Sequence, residues 1–151
     1  MKQIHVECNP DETLVLKLGF GKRNITHHQG RSRIFNALTR VSGHLAMVDE
    51  DPGCARSDYE NSLRLVEESD FTRCYTDCSN NTIVVLKGKL EDYIINTCRK
   101  HHIDITGFGL PDNAKNLHGV INNKLSNFMK LANYLIREGN PELVQLKRHL
   151  R

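Results

Sequence analysis

Apolar and polar positions along the chain alternate between two periods. Short runs of β-branched and aliphatic residues, "QIHVEC" (residues 3 to 8), "NITHHQ" (24 to 29), "HLAMV" (44 to 48) and "TIVVLKG" (82 to 88), read as strands bounded by turn residues. Between them lie segments with helical spacing. "NPDETLVLKLG" predicts a helix capped by Asn9, with Pro10 at its first position, Asp11 and Glu12 in its first turn, and Gly19 or Gly21 closing it. "RSRIFNALTRV" places Ile34, Leu38 and Val41 on one side, and "LEDYIINTCRKHHI" (90 to 103) does the same with Leu90, Ile94, Ile95 and Cys98. The polar stretch 54 to 71 contains a possible helix from Ser57 to Glu68.

Beyond "TGFGLPDN" an apolar stripe runs from Leu117 through Phe128 and Leu131 to Ile136, and "NPELVQLKRHLR" opens a last helix with Asn140 as its cap and Pro141 at its first position. The order β-α-β-α-β-(α)-β-α-α-α predicts an α/β, Rossmann-like fold: a mainly parallel, four-stranded sheet with helices on both faces. The C-terminal stripe is expected to cover one of those faces; a homodimer or partner surface is its lesser use.

At 151 residues and 38% hydrophobic content, the chain suits one domain spanning 1 to 151, with a core over about 3 to 103 and a helical extension over about 113 to 151. Its longest apolar runs are too short to span a bilayer and "MKQIHVECNP" has no signal-peptide stretch, so a soluble, cytoplasmic protein is expected. The five cysteines, Cys8, Cys54, Cys74, Cys78 and Cys98, form no disulfide framework. Cys74 and Cys78 with His27, His28, His101 and His102 allow a zinc site, but without two tight ligand pairs ordinary thiols are the better reading. Charge is uneven: residues 1 to 112 hold 14 basic and 16 acidic side chains, and residues 113 to 151 hold 7 and 2. A basic tail permits an anionic partner such as nucleic acid, although a solvated face is the commoner cause.

Two strands end in acids. The first runs into Glu7, with Asp11 a helical turn later; the third runs into Asp49, Glu50 and Asp51, followed by the turn residues Pro52 and Gly53. In a parallel sheet, functional groups gather at the carboxyl ends of strands. If the two strands are neighbours, Glu7, Asp11, Asp49 and Asp51 meet at one rim. Carboxylates crowded this way need cations, and hard oxygen donors favour Mg²⁺ or Mn²⁺. Arg31 and Arg33 open the second helix after Gly30, where a phosphate can be held.

The succession "HVEC" with Glu7, "ITHHQG" with Gly30 and "HLAMVDED" with Asp49 and Asp51 resembles the TOPRIM domain of topoisomerases, primases and OLD-family nucleases over about residues 3 to 103. Asp11, four residues after Glu7, and "VVLKGKLEDYI" lean toward the OLD-like and small stand-alone branch, while Cys8 stands where a glycine is usual. The resemblance implies phosphodiester chemistry on nucleic acid with one or two divalent ions. It assigns Glu7, Asp49 and Asp51 as metal ligands, Asp11 and Glu91 as second-ion or water-positioning groups, and Lys87 or Lys89 as charge-balancing groups. An ATPase or other protein partner belongs to the same expectation. The alternative is a non-catalytic binding or regulatory module on the same fold. A receiver domain is disfavoured because its acidic pair follows the first strand, and a P-loop enzyme because G-x4-G-K-[ST] is missing.

Overall fold

The computed structural model describes residues 2–53 and 55–151; Cys54 lies outside the described residues. Six strands form one mixed sheet: β1 (Ile4–Val6), β2 (Ile25–His27), β3 (Leu45–Asp49), β4 (Arg64–Glu68), β5 (Thr72–Thr76) and β6 (Thr82–Leu86), in the spatial order β2-β1-β3-β6-β5-β4. β2, β1, β3 and β6 run parallel; β5 and β4 are added antiparallel at one end. The α/β class therefore stands, with a correction from four strands to six.

The two extra strands replace most of the helix expected from Ser57 to Glu68. Its start is where the sequence puts it: the Ser57 hydroxyl accepts from the Glu60 N–H, and the Glu60 carboxylate accepts from the Ser57 N–H. This helix, α3 (Asp58–Ser62), ends after five residues. Leu63 turns extended and leads into β4, an edge strand whose Leu65 and Val66 are exposed, so no alternation marks it in the sequence. β5 alternates buried Thr72 and Cys74 with Arg73 and Tyr75, a pattern too polar to read as a core strand.

Helices cover both faces. On one face, Ile4, Val6, Leu45, Met47, Val84 and Leu86 pack in a continuous core with α1 (Asn9–Lys17), α4 (Leu90–Lys100), α5 (Ala114–Val120), α6 (Leu125–Arg137) and α7 (Pro141–His149). On the other, Ala46, Val48, Ile83 and Val85 meet Ile34, Phe35 and Leu38 of α2 (Arg31–Leu38). The C-terminal stripe is thus built into the first core: Leu117, Ile121, Phe128, Leu131, Ala132 and Leu135 are all buried. Among the described residues no helix is long and apolar enough to cross a membrane.

Caps agree with expectation at α7, where the Asn140 side chain accepts from the Glu142 and Leu143 N–H groups. They differ at α1, where Cys8 occupies the cap without a side-chain bond and Asn9 already belongs to the helix. Between β6 and α4, Gly88 takes φ +76°, and a Cβ there would lie 2.7 Å from the Asp92 carboxylate. That carboxylate accepts from the Lys89 N–H and caps α4, so only glycine fits the turn that delivers Glu91.

Candidate functional site

β1 and β3 are adjacent and parallel, with Ile4 beside Leu45 and His5 beside Ala46, so both strands release their acids at one edge. Alternation along β3 puts Asp49 on the side of Leu45 and Met47, toward α1 and α4; alternation along β1 puts Glu7 on the side of His5, toward α2. The carboxylates straddle the rim rather than sharing one face.

Their charges act on one another. Asp49 is pushed up to about 8, first by burial and then by Asp11, Glu91 and Glu7. Asp11, 2% exposed, is raised to about 7 by burial, with Glu7 adding to the effect and hydrogen bonds from Cys8 and the Glu7 backbone offsetting part of it. Burial also raises Glu7, where the Arg31 guanidinium opposes the shift and Asp51 adds to it. The structure therefore brings Glu7, Asp11, Asp49, Asp51 and Glu91 into one electrostatic cluster. Two of its atoms, Asp11 Oδ1 and Asp49 Oδ1, are buried with no hydrogen-bond partner. An orphaned carboxylate oxygen costs about 1–3 kcal/mol or more, which a bound cation would relieve.

Among the described residues, no group of three or more His, Cys, Asp or Glu side chains is already gathered as a closed ligand set. Mg²⁺ does not require one: it keeps several waters and binds through one or two carboxylates together with substrate phosphates. Asp11 and Asp49, with their unfilled oxygens, fit that demand, and Glu7 and Glu91 flank them. The zinc alternative gains no ligand set, with Cys74 buried in β5 and Cys78 exposed.

The other expected residues divide. Arg31 reaches the rim: it donates to the Asp49 backbone carbonyl and forms an ion pair with Glu60 at 2.7 Å. Arg33 is exposed and acts on His28. Lys87 donates to Glu68 Oε1 at 3.1 Å and to the Ser69 carbonyl at 2.7 Å, because the turn between β4 and β5 lies beside the end of β6. Its ammonium is engaged there rather than at the carboxylates. Lys89 lines a cleft with Asp92, Ala114, Lys115 and His118. Glu91 is buried at the start of α4 and paired with His118 Nδ1 at 3.1 Å, so its environment goes beyond the helix-dipole role open to any first-turn acid.

His118 and Lys115 were not legible as site residues, since α5 follows in sequence at a distance that carries no local signal. A second unforeseen feature is a chain of imidazoles: His5 Nδ1 lies 2.7 Å from His28 Nε2, and His5 Nε2 lies 3.1 Å from His44 Nδ1. Burial, followed by His28 and His44, lowers His5 to about 4. The folded His5 binds its proton less readily than the unfolded one, so its contribution is full above pH 6.5 and is lost as pH falls toward 4. Allowing for solvent screening, the loss at pH 5 is about 1–2 kcal/mol, or about 2–8 °C in melting temperature. Thermal melts of wild type and His5→Asn at pH 7 and pH 5 test this: wild type should lose more on acidification, and parallel shifts would refute it.

Comparison of the chain with family models, with curated proteins and with solved structures gives no match.

Proposed function

We propose that this protein is a divalent-metal-dependent phosphodiesterase acting on nucleic acid, resembling the TOPRIM domain of OLD-family nucleases. One observation carries the reading: Asp11 and Asp49 present buried, unpartnered oxygens inside a cluster of acids at the carboxyl ends of adjacent parallel strands. Groups this costly to bury persist where they serve a site. When bound, Mg²⁺ or Mn²⁺ would supply activation of water and stabilisation of the leaving oxygen.

The chain's own groups then have distinct parts. Asp11 and Asp49 would hold the ion, and Glu7 and Glu91 would complete its surroundings or orient water. Asp51 lies on the α2 side with Glu7, whose proton affinity it raises. Arg31, fixed by Glu60 and the Asp49 carbonyl, keeps a positive charge at the rim that offsets the acids toward an incoming phosphate. A non-catalytic module on this fold would keep the cluster's position without cleavage.

The test is incubation of plasmid and single-stranded DNA and RNA with the protein in Mg²⁺, Mn²⁺ or EDTA. Cleavage with either ion, lost in EDTA and in Asp49→Asn, is expected; intact substrates in every ion with wild type would favour the module.

A further inference from the structure

The acids that would hold a cation also repel the phosphodiester backbone that must reach it, so the approach needs positive charge that is not already neutralised. On the α2 side Arg31 offsets the acids but shares its charge with Glu60, and Arg33 is exposed. The α4 side adds two further cations beside a cavity. The start of α4 and the flank of α5 enclose a cavity of about 310 Å³ lined by Lys89, Asp92, Ala114, Lys115 and His118. Lys89 and Lys115 are both exposed, and neither ammonium has a hydrogen bond or ion pair among the described residues. Of the nearby acids, Glu91 is held by His118, while Asp92 lines the cleft and accepts from the Lys89 N–H at 2.9 Å without an ion pair.

The cleft also joins the carboxylate cluster. Glu91 faces His118 on the cleft side and raises the proton affinity of Asp49 on the other. Glu91 thus borders both the carboxylates and the cleft. We infer that this cleft between α4 and α5 is a backbone-phosphate subsite, in which Lys89 and Lys115 hold a phosphate of the nucleic-acid strand adjacent to the one at the carboxylates. The inference deepens the phosphodiesterase reading and rests on it for the strand's direction toward Asp49. The cleft's affinity for a backbone can nonetheless be measured without cleavage.

Fluorescence anisotropy of a labelled single-stranded DNA oligonucleotide, titrated in EDTA at several salt concentrations, gives that measurement. Removing one lysine–phosphate pair should reduce the slope of log K against log salt by about 0.7. Lys89→Gln and Lys115→Gln should each show that reduction, while Lys130→Gln, an exposed lysine on α6, should match wild type. Circular dichroism melts confirm that each variant is folded. Wild-type slopes in both cleft variants overturn the subsite, as does an equal loss in Lys130→Gln or failure of wild type to bind. Reduced slopes without any cleavage by wild type in Mg²⁺ or Mn²⁺ would keep the subsite and remove the nuclease reading; cleavage with unchanged slopes would do the reverse.

Discussion

Asp49→Asn is expected to make the metal-free protein more stable at pH 8 and to abolish its response to divalent ions. The sign follows from where the proton resides. Folded Asp49 is raised to about 8, whereas an unfolded aspartate titrates near 3.8. Between these values the folded state holds the proton more tightly, so stability declines as pH rises through that window and is lowest above it. Asparagine removes the charge that must otherwise be buried beside Asp11, Glu91 and Glu7. After allowance for solvent screening, the gain is about 2 kcal/mol, or about 4–8 °C. It should fade as the pH is lowered toward 4.

In wild type, Mg²⁺ or Mn²⁺ should raise the melting temperature, more at pH 8 than at pH 6, because binding displaces protons from raised carboxyls. The variant should show neither effect. If the proposed chemistry is correct, its cleavage rate should also fall by about 10³-fold or more, equivalent to roughly 4 kcal/mol of lost transition-state stabilisation. Differential scanning fluorimetry across pH, with and without the ions, reads the first two outcomes. A variant that is less stable at pH 8, or that still responds to the ions, would show that Asp49 is not the buried charge at the centre of the site.

Phe128→Ala is expected to have the largest effect on stability. Phe128 is fully buried on α6, in the core that α6 shares with Leu14 and Val15 of α1 and Met47 of β3. Truncating such a ring costs about 3–5 kcal/mol through lost transfer energy and an unfilled cavity. For a chain of this size that is about 6–20 °C in melting temperature. Because α1 carries Asp11, the same substitution should weaken the divalent-ion response in proportion to the fraction unfolded. Urea denaturation measures the cost directly. A loss below about 1 kcal/mol would mean that α6 is an appendage to the sheet rather than part of its core.

Local chemistry made much of this legible. The alternating runs that became β1, β2, β3 and β6 are short, β-branched and bounded by turns, and those signals belong to the segment itself. Asn140 and Pro141 announced α7, because capping bonds span only three residues. Glu7, Asp11, Asp49 and Asp51 stood out because acids at strand ends have few structural reasons to cluster. Their convergence required only that two parallel strands be neighbours.

What the chain does not encode locally was decided by packing. β4 forms at an exposed edge because β5 offers it a backbone ladder, and RLVEE carries no periodicity that would distinguish it from helix. The resulting hairpin gives Lys87 its partners Glu68 and Ser69. Long-range packing likewise set α5 against α4, giving Glu91 its partner His118 and placing Lys89 and Lys115 in one cleft, neither in an ion pair among the described residues. The acids themselves are in the sequence, but their burial, their mutual repulsion and the two oxygens left without partners are not. Those arise only when the sheet, α1 and α4 close around the rim and exclude the water that would otherwise solvate each charge.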